Sequence, residues 1–284
     1  MKDEFSLDRQ RMRLAFERAA DTYDDAALVQ REVAARLLSR LDLIRLAPRR
    51  ILDAGCGTGQ CARALAARYR DASVTGFDLA HAMARRAARR RGVMARFAGR
   101  EKYLCADVEG LPFAAASFDL ALSSLTLQWC NLDRAFTEIA RVLAPEGLLL
   151  FSSFGPDTLA ELRAAWRAAD DDVHVHAFLD MHDVGDALVR AGFRDPVMDV
   201  ERLTVTHASV RELLDDLKRI GAHNVAAGRT RTLTGKQRFA RFEQAYEALR
   251  VNGRLPASYE IVYGHAWAPR GAVTVPVSTI GRRR

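Results

Sequence analysis

Long apolar runs are absent from this chain, and none approaches the length that a bilayer-spanning helix needs. Met1-Lys2-Asp3-Glu4-Phe5 lacks the apolar core of a secretory leader, so neither membrane insertion nor export is expected. Cysteine is scarce, with four in 284 residues. Cys56, Cys61, Cys105 and Cys130 show no C-x-x-C spacing, which argues against a disulfide scaffold and leaves reduced, cytoplasmic thiols as the expectation. Internal repeats and low-complexity tracts are missing too. His174, His176 and His182 lie near Asp171, Asp172 and Asp183 but at no standard zinc spacing, so no metal is expected. Acidic residues are outnumbered, 36 against 43 Lys and Arg, for a formal net charge of +7. That balance favours an acidic partner. The basic clusters Arg85-Arg86, Arg89-Arg90-Arg91 and Arg282-Arg283-Arg284 carry no interleaved aromatics for stacking bases. They read as a solvated helix face and a chain end, and nucleic acid is not the expected partner.

What is present is organised around Ile51-Leu52-Asp53-Ala54-Gly55-Cys56-Gly57-Thr58-Gly59-Gln60. A short apolar strand breaks into three glycines, and an alanine-rich helical run follows. Without a Cβ the backbone can turn sharply and approach a ligand closely. The first N–H groups of the following helix point at the same place. Taken alone, the pattern is also that of a plain strand-to-helix turn. A second strand ends at Asp78, about twenty residues on, where ribose hydroxyls need an acceptor.

Along the chain, residues 5–44 read as helices, with Tyr23 in a polar break between two segments. From 50 to 154 strands alternate with helices: strands at 51–56, 74–78, 103–107, 118–124 and 148–151, helices at 60–69, 81–91 and after Asn131. Gly92 is expected to cap the second of those helices. Such alternation predicts a mostly parallel sheet whose ligand edge lies at the carboxyl ends of the strands. The glycine turn, Asp78, Asp107 and Ser123-Ser124 all fall on that edge. Beyond 155, helices are expected at 156–169, opened by Pro156, and at 180–191, 210–220 and 235–250. Strands at 197–206 and 259–267 would pair as an antiparallel hairpin interrupted by a helical insertion, too long for a plain loop and read as a lid. The expected divisions are a helical segment at 1–48, a Rossmann-like domain at 49–207, the insertion at 208–258, a last strand at 259–270 and a basic tail at 271–284.

The order Asp53-x-Gly55-x-Gly57-x-Gly59 resembles motif I of the Rossmann-like, class I S-adenosylmethionine (SAM) methyltransferases. More restrictive segments follow. Leu127-Gln128-Trp129-Cys130, Phe151 through Arg163, Leu217 through Asn224 and Leu255 through Ala266 together resemble the malonyl-acyl-carrier-protein O-methyltransferases of biotin synthesis. Tyr23-Asp24 and Val29-Gln30-Arg31 match as well, so the resemblance spans roughly residues 10–268. It implies a seven-stranded α/β fold and methyl transfer from SAM to the free carboxylate of a malonyl thioester, on an acidic acyl-carrier protein or coenzyme A. It implies cofactor contacts from Asp53, Gly55, Cys56, Gly57, Gly59, Asp78, Leu79, Asp107, Val108 and Ser124. Ser124 departs from the pattern, which often has Asn there, and puts one contact in doubt. Substrate contacts are expected from Tyr23, Gln128, Trp129 and Arg163, the arginine as a bidentate partner for carboxylate. Lys218, Arg219, Arg229, Arg231 and Lys236 on the insertion are expected to meet the carrier protein. The residues alone leave open a methyltransferase of another small molecule or RNA, and an assembly factor that binds a partner without catalysis.

Overall fold

Central strands of this chain are apolar on both faces, and the sheet they form is covered on both. The computed structural model describes residues 7–92, 99–222 and 235–270. Among these, seven strands form one sheet: β1 (Arg50–Ala54), β2 (Ser73–Asp78), β3 (Glu101–Cys105), β4 (Phe118–Ser124), β5 (Leu143–Phe154), β6 (Arg194–His207) and β7 (Leu255–Trp267). Their order is β3-β2-β1-β4-β5-β7-β6. The first five pair in parallel, and β7 inserts antiparallel between β5 and β6. This is the Rossmann-like, mostly parallel α/β sheet expected, with the expected antiparallel pair at its end.

The helices are α1 (Arg9–Ala19), α2 (Tyr23–Ala26), α3 (Leu28–Ser39), α4 (Gln60–Arg68), α5 (His81–Arg89), α6 (Leu132–Val142), α7 (Ala160–Arg167), α8 (Met181–Arg190), α9 (Val210–Arg219) and α10 (Lys236–Glu247). None is long and apolar enough to cross a membrane. Because successive strand residues point to opposite faces, each central strand feeds two cores. Ile51, Leu120, Leu122, Leu148 and Leu150 join a cluster with Leu37, Leu65, Leu162, Leu213, Phe242 and Tyr246. Leu52, Ala121, Leu149 and Phe151 join another with Phe136, Ile139, Val184 and Leu188. The insertion helices α9 and α10 therefore pack into the main core through Leu213, Leu217, Phe242 and Tyr246. Fully burying each such side chain contributes roughly 1.5–3 kcal/mol.

Local departures have local causes. The helix expected to open at Pro156 begins at Ala160. Residues 156–159 are tied to β7 instead: Asp157 N–H donates to Glu260 Oε2 at 2.7 Å, Leu159 N–H to Ser258 O at 2.6 Å, and Thr158 Oγ1 to Glu260 O at 3.0 Å. Leu159 takes a left-handed φ of 56° to make the join. Gly92 does not cap α5, which ends at Arg89 with Arg90 N–H returning to Arg86 and Ala87 carbonyls. Pro145-Glu146-Gly147 lies inside β5, where the register against β4 shifts and Glu146 takes a φ of 61°.

Candidate active site

Three glycines leave β1 with φ of 73°, 51° and 83° at Gly55, Gly57 and Gly59. They are needed for two different reasons. A Cβ at Gly55 would lie 2.1 Å from Thr126 Oγ1, and one at Gly59 would lie 2.8 Å from Ala87 Cβ. At Gly57 a Cβ would meet nothing within 4 Å, and Gly57 lines a pocket. Packing thus demands the outer two glycines, and the middle one faces open space.

Two carboxyls flank the turn. Asp78, at the end of β2, accepts from Gly57 N–H at 2.9 Å and Ala80 N–H at 2.8 Å. Burial pushes its pKa up to about 6 against the pull of those two N–H groups. Asp53 is 1% exposed, and its Oδ2 has no partner among the described residues. Burial pushes Asp53 up to about 7, opposed by a hydrogen bond from Ala62 N–H. A buried carboxylate oxygen without a donor is costly unless a cation or donor arrives.

The rest of the pocket wall is mostly apolar, with Phe77, Leu79, Ala80, Met83, Ala106 and Val108, closed by Met12 and Phe16 of α1. Arg9 anchors that helix. Its Nη2 lies 2.7 Å from both oxygens of Asp107, and its Nη1 lies 2.6 Å from Glu109. So closed, the pocket holds about 80 Å³. Asp24 anchors the neighbouring α2: Thr58 Oγ1 on the glycine turn donates to it at 2.6 Å, and Arg86 and Arg90 pair with it. That fixes Tyr23 against the pocket. Burial, then Asp78 and Asp24, push the Tyr23 phenol up, so it stays protonated and able to donate.

Trp129 ends a short 3₁₀ turn after β4, packed edge-on against Phe16 at 5.5 Å and 4.7 Å from the His176 ring. It lines this pocket and also a second cavity of about 220 Å³, walled by Phe154, Leu162, Trp166, Phe178, Leu217 and Tyr259. One residue therefore forms part of the wall of both.

Of the residues singled out in the sequence, Tyr23, Gly55, Gly57, Asp78, Leu79, Asp107, Val108, Ser124 and Trp129 meet in the first pocket. Asp53, Cys56 and Gly59 belong to the turn but not to the pocket wall. Gln128 faces another recess, its amide donating to Leu125 O at 2.7 Å. Arg163 lies on neither cavity wall; its guanidinium donates to the carbonyls of Pro156 at 2.6 Å, Thr158 at 2.5 Å and His176 at 3.4 Å. His174 stacks on Trp166 at 3.7 Å and bonds Asp170 at 2.7 Å. Sequence reasoning missed Arg9, Met12, Arg13 and Phe16. Their helical spacing was visible, but nothing local links Arg9 to an acid 98 residues away.

A methyltransferase domain family matches residues 52–151, from β1 through most of β5. In fold, the chain is similar to the YcgJ protein of Bacillus subtilis, with TM-score 0.56 at 19% identity, covering 83% of this chain and 98% of that one. It is similar also to a Haemonchus contortus phosphoethanolamine N-methyltransferase solved with S-adenosylhomocysteine, with TM-score 0.51 at 20% identity, covering 84% of this chain and 52% of that one. In sequence it is 53% identical to a malonyl-acyl-carrier-protein O-methyltransferase of Methylovorus sp. strain MP688, over 96% of this chain and 94% of that one. Identity of that degree, held across nearly the whole of both chains, places this chain in the malonyl-acyl-carrier-protein O-methyltransferase family.

Proposed function

We propose that this enzyme methylates the free carboxylate of a malonyl thioester, with the thioester carried by an acyl-carrier protein and SAM as methyl donor. The observation that carries the reading is Trp129, which lines both the glycine-turn pocket and the apolar cavity. The first pocket suits SAM: Asp78 offers an acceptor for ribose hydroxyls and Leu79, Ala106 and Val108 an apolar wall for a base, while Asp53, buried and not on that wall, keeps a carboxylate oxygen without a partner among the described residues toward which an ammonium would be drawn. When bound, SAM would supply a sulfonium methyl that the carboxylate oxygen attacks, leaving S-adenosylhomocysteine.

The chain's own residues have a limited task. A carboxylate with a reference pKa near 4 is already ionised at neutral pH, so no general base is required. The protein has to strip water from it and aim it. Leu162, Trp166, Phe178 and Tyr259 give the cavity an apolar lining that favours loss of that water, and Trp129 is a wall shared with the first pocket. The closed pocket is smaller than the several hundred Å³ usual for ligands of nucleoside size. Met12, Phe16 and Arg9 of α1 form part of its wall, so this helix and the contact of Arg9 with Asp107 and Glu109 border the space a cofactor would take.

Two raised carboxyls make cofactor affinity pH-dependent. A cation-bearing ligand favours ionised Asp53 and Asp78, whose pKa values are about 7 and about 6. Affinity is expected to fall as pH drops from 8 to 6, by about tenfold if Asp53 meets the ammonium. Without ligand the sign is reversed: folding raises both pKa values above their ordinary range, so stability from these groups falls as pH rises through about 4 to 7. Calorimetry across that range checks both signs, and pH-independent affinity would remove Asp53 from the ammonium contact.

The carrier protein is expected to dock beside the mouth of the apolar cavity. Lys218 is exposed there and lines the cavity, Arg219 is exposed beside it though paired with Asp216 at 3.5 Å, and Lys236 opens α10. Arg229 and Arg231 lie outside the described residues. Such contacts are screened over about 10 Å at 0.1 M salt, so carrier binding should weaken as salt rises. Lys218→Glu with Arg219→Glu should raise KM for the malonyl-carrier protein about tenfold and weaken it more than malonyl-coenzyme A. Equal losses would argue against docking here. The substrate itself is tested by comparing methyl transfer to malonyl-carrier protein, malonyl-coenzyme A and transfer RNA. Preference for RNA would overturn the proposal.

A further inference from the structure

The apolar cavity contains few polar side chains, and two of them are already engaged. The Thr158 hydroxyl donates to Glu260 O at 3.0 Å and accepts from Glu260 N–H at 3.1 Å. His174 is taken by Asp170 at 2.7 Å. Lys218 is exposed and Gln30 half-buried. His176 is different. It is 5% exposed, it lines the cavity, and its Nε2 has no partner among the described residues. Its ring is fixed between Trp129 at 4.7 Å and Phe178 at 4.5 Å, and Arg163 Nη1 holds its backbone carbonyl at 3.4 Å. Burial, together with the Arg163 charge, pushes its pKa down to about 4. The imidazole is therefore neutral at physiological pH and carries one N–H to donate.

We propose that His176 is a substrate-binding residue whose Nε2–H donates to one oxygen of the malonyl carboxylate and holds it beside Trp129. The inference rests on the malonyl reading given above. A carboxylate entering an apolar cavity sheds its water and needs a donor there. A full cation in contact would satisfy it but would also draw down the charge that makes it a nucleophile. A neutral N–H orients one oxygen and leaves the other free to attack. The position fits, because Trp129, against which His176 packs, is the wall shared with the cofactor pocket. Arg163 then acts through His176 as a positioning residue.

The test compares His176→Phe, which keeps a ring and removes the donor, with His176→Gln, whose amide N–H reaches the place of Nε2. With malonyl-carrier protein, kcat/KM is expected to fall about 10- to 100-fold in His176→Phe, with SAM affinity within about twofold of wild type. His176→Gln should recover about tenfold of that loss. Wild-type kinetics in His176→Phe overturn the contact. So do equal defects in both variants accompanied by lost SAM affinity and a lowered melting temperature, which would mark a packing role. Failure of the wild-type enzyme to methylate malonyl-carrier protein overturns the malonyl reading and this contact with it. Transfer by wild type with an unaffected Phe variant removes the contact alone.

Discussion

Gly57→Val is expected to fold and to lose SAM affinity by at least about 100-fold. The two halves of that expectation have separate causes. Apart from its two chain neighbours, no protein atom lies within 4 Å of a Cβ at this position, so the side chain starts in open space. Its φ of 51° costs a β-branched residue about 1–2 kcal/mol or more, which lowers melting by several degrees in a domain of this size. The space the valine fills is the pocket, and the N–H that organises Asp78 is distorted with it. Gly55→Ala should fail in the opposite way, because its Cβ meets Thr126 Oγ1 at 2.1 Å and the loss falls on folding. Calorimetric titration with a thermal melt separates the two. A folded Gly57→Val protein with unchanged SAM affinity would contradict the assignment of this pocket.

Arg163→Ala is expected to lower turnover of malonyl-carrier protein about 10- to 100-fold while leaving SAM affinity within about twofold. Arg163 clamps three carbonyls, those of Pro156, Thr158 and His176. Charge-assisted hydrogen bonds of this kind contribute about 1.5–3 kcal/mol, and their loss releases the segment that presents His176. Arg163→Lys should restore only part of the activity, since an ammonium cannot span three acceptors as the planar fork does. If Arg163 works through His176, the two defects should not add: Arg163→Ala combined with His176→Phe should be no worse than His176→Phe alone. Full additivity would mean that Arg163 serves the substrate by another route.

Arg163 also illustrates what the sequence could and could not reveal. The alternation of strands and helices was legible because burial on both faces writes continuous apolar runs such as Leu148-Leu149-Leu150-Phe151. The ligand edge was legible because topology alone sends Gly55, Gly57, Asp78 and Asp107 to the carboxyl ends of β1, β2 and β3. The role of a long side chain was not. An arginine after β5 fits a carboxylate clamp as well as a carbonyl clamp, and only the fold of residues 156–159 onto β7 decides where its fork points. The delayed start of α7 has the same origin, since contacts with Glu260, about a hundred residues on, override the helix-opening preference of Pro156. Arg9 was invisible for a similar reason. His176 was weighed only as a metal ligand, and its unpartnered nitrogen appears only once the cavity is built around it.

The central claim is that the methyl group ends on the free carboxylate of a carrier-bound malonyl group. Mass spectrometry of the carrier protein after incubation with enzyme and SAM tests it most directly, with fragmentation of the ejected pantetheine arm to locate the change. The account predicts a malonyl group one methylene heavier, carried as a methyl ester that mild alkali hydrolyses, and no change on the carrier lacking malonate. An unmodified malonyl group, with the methyl group found instead on another acceptor, would contradict it.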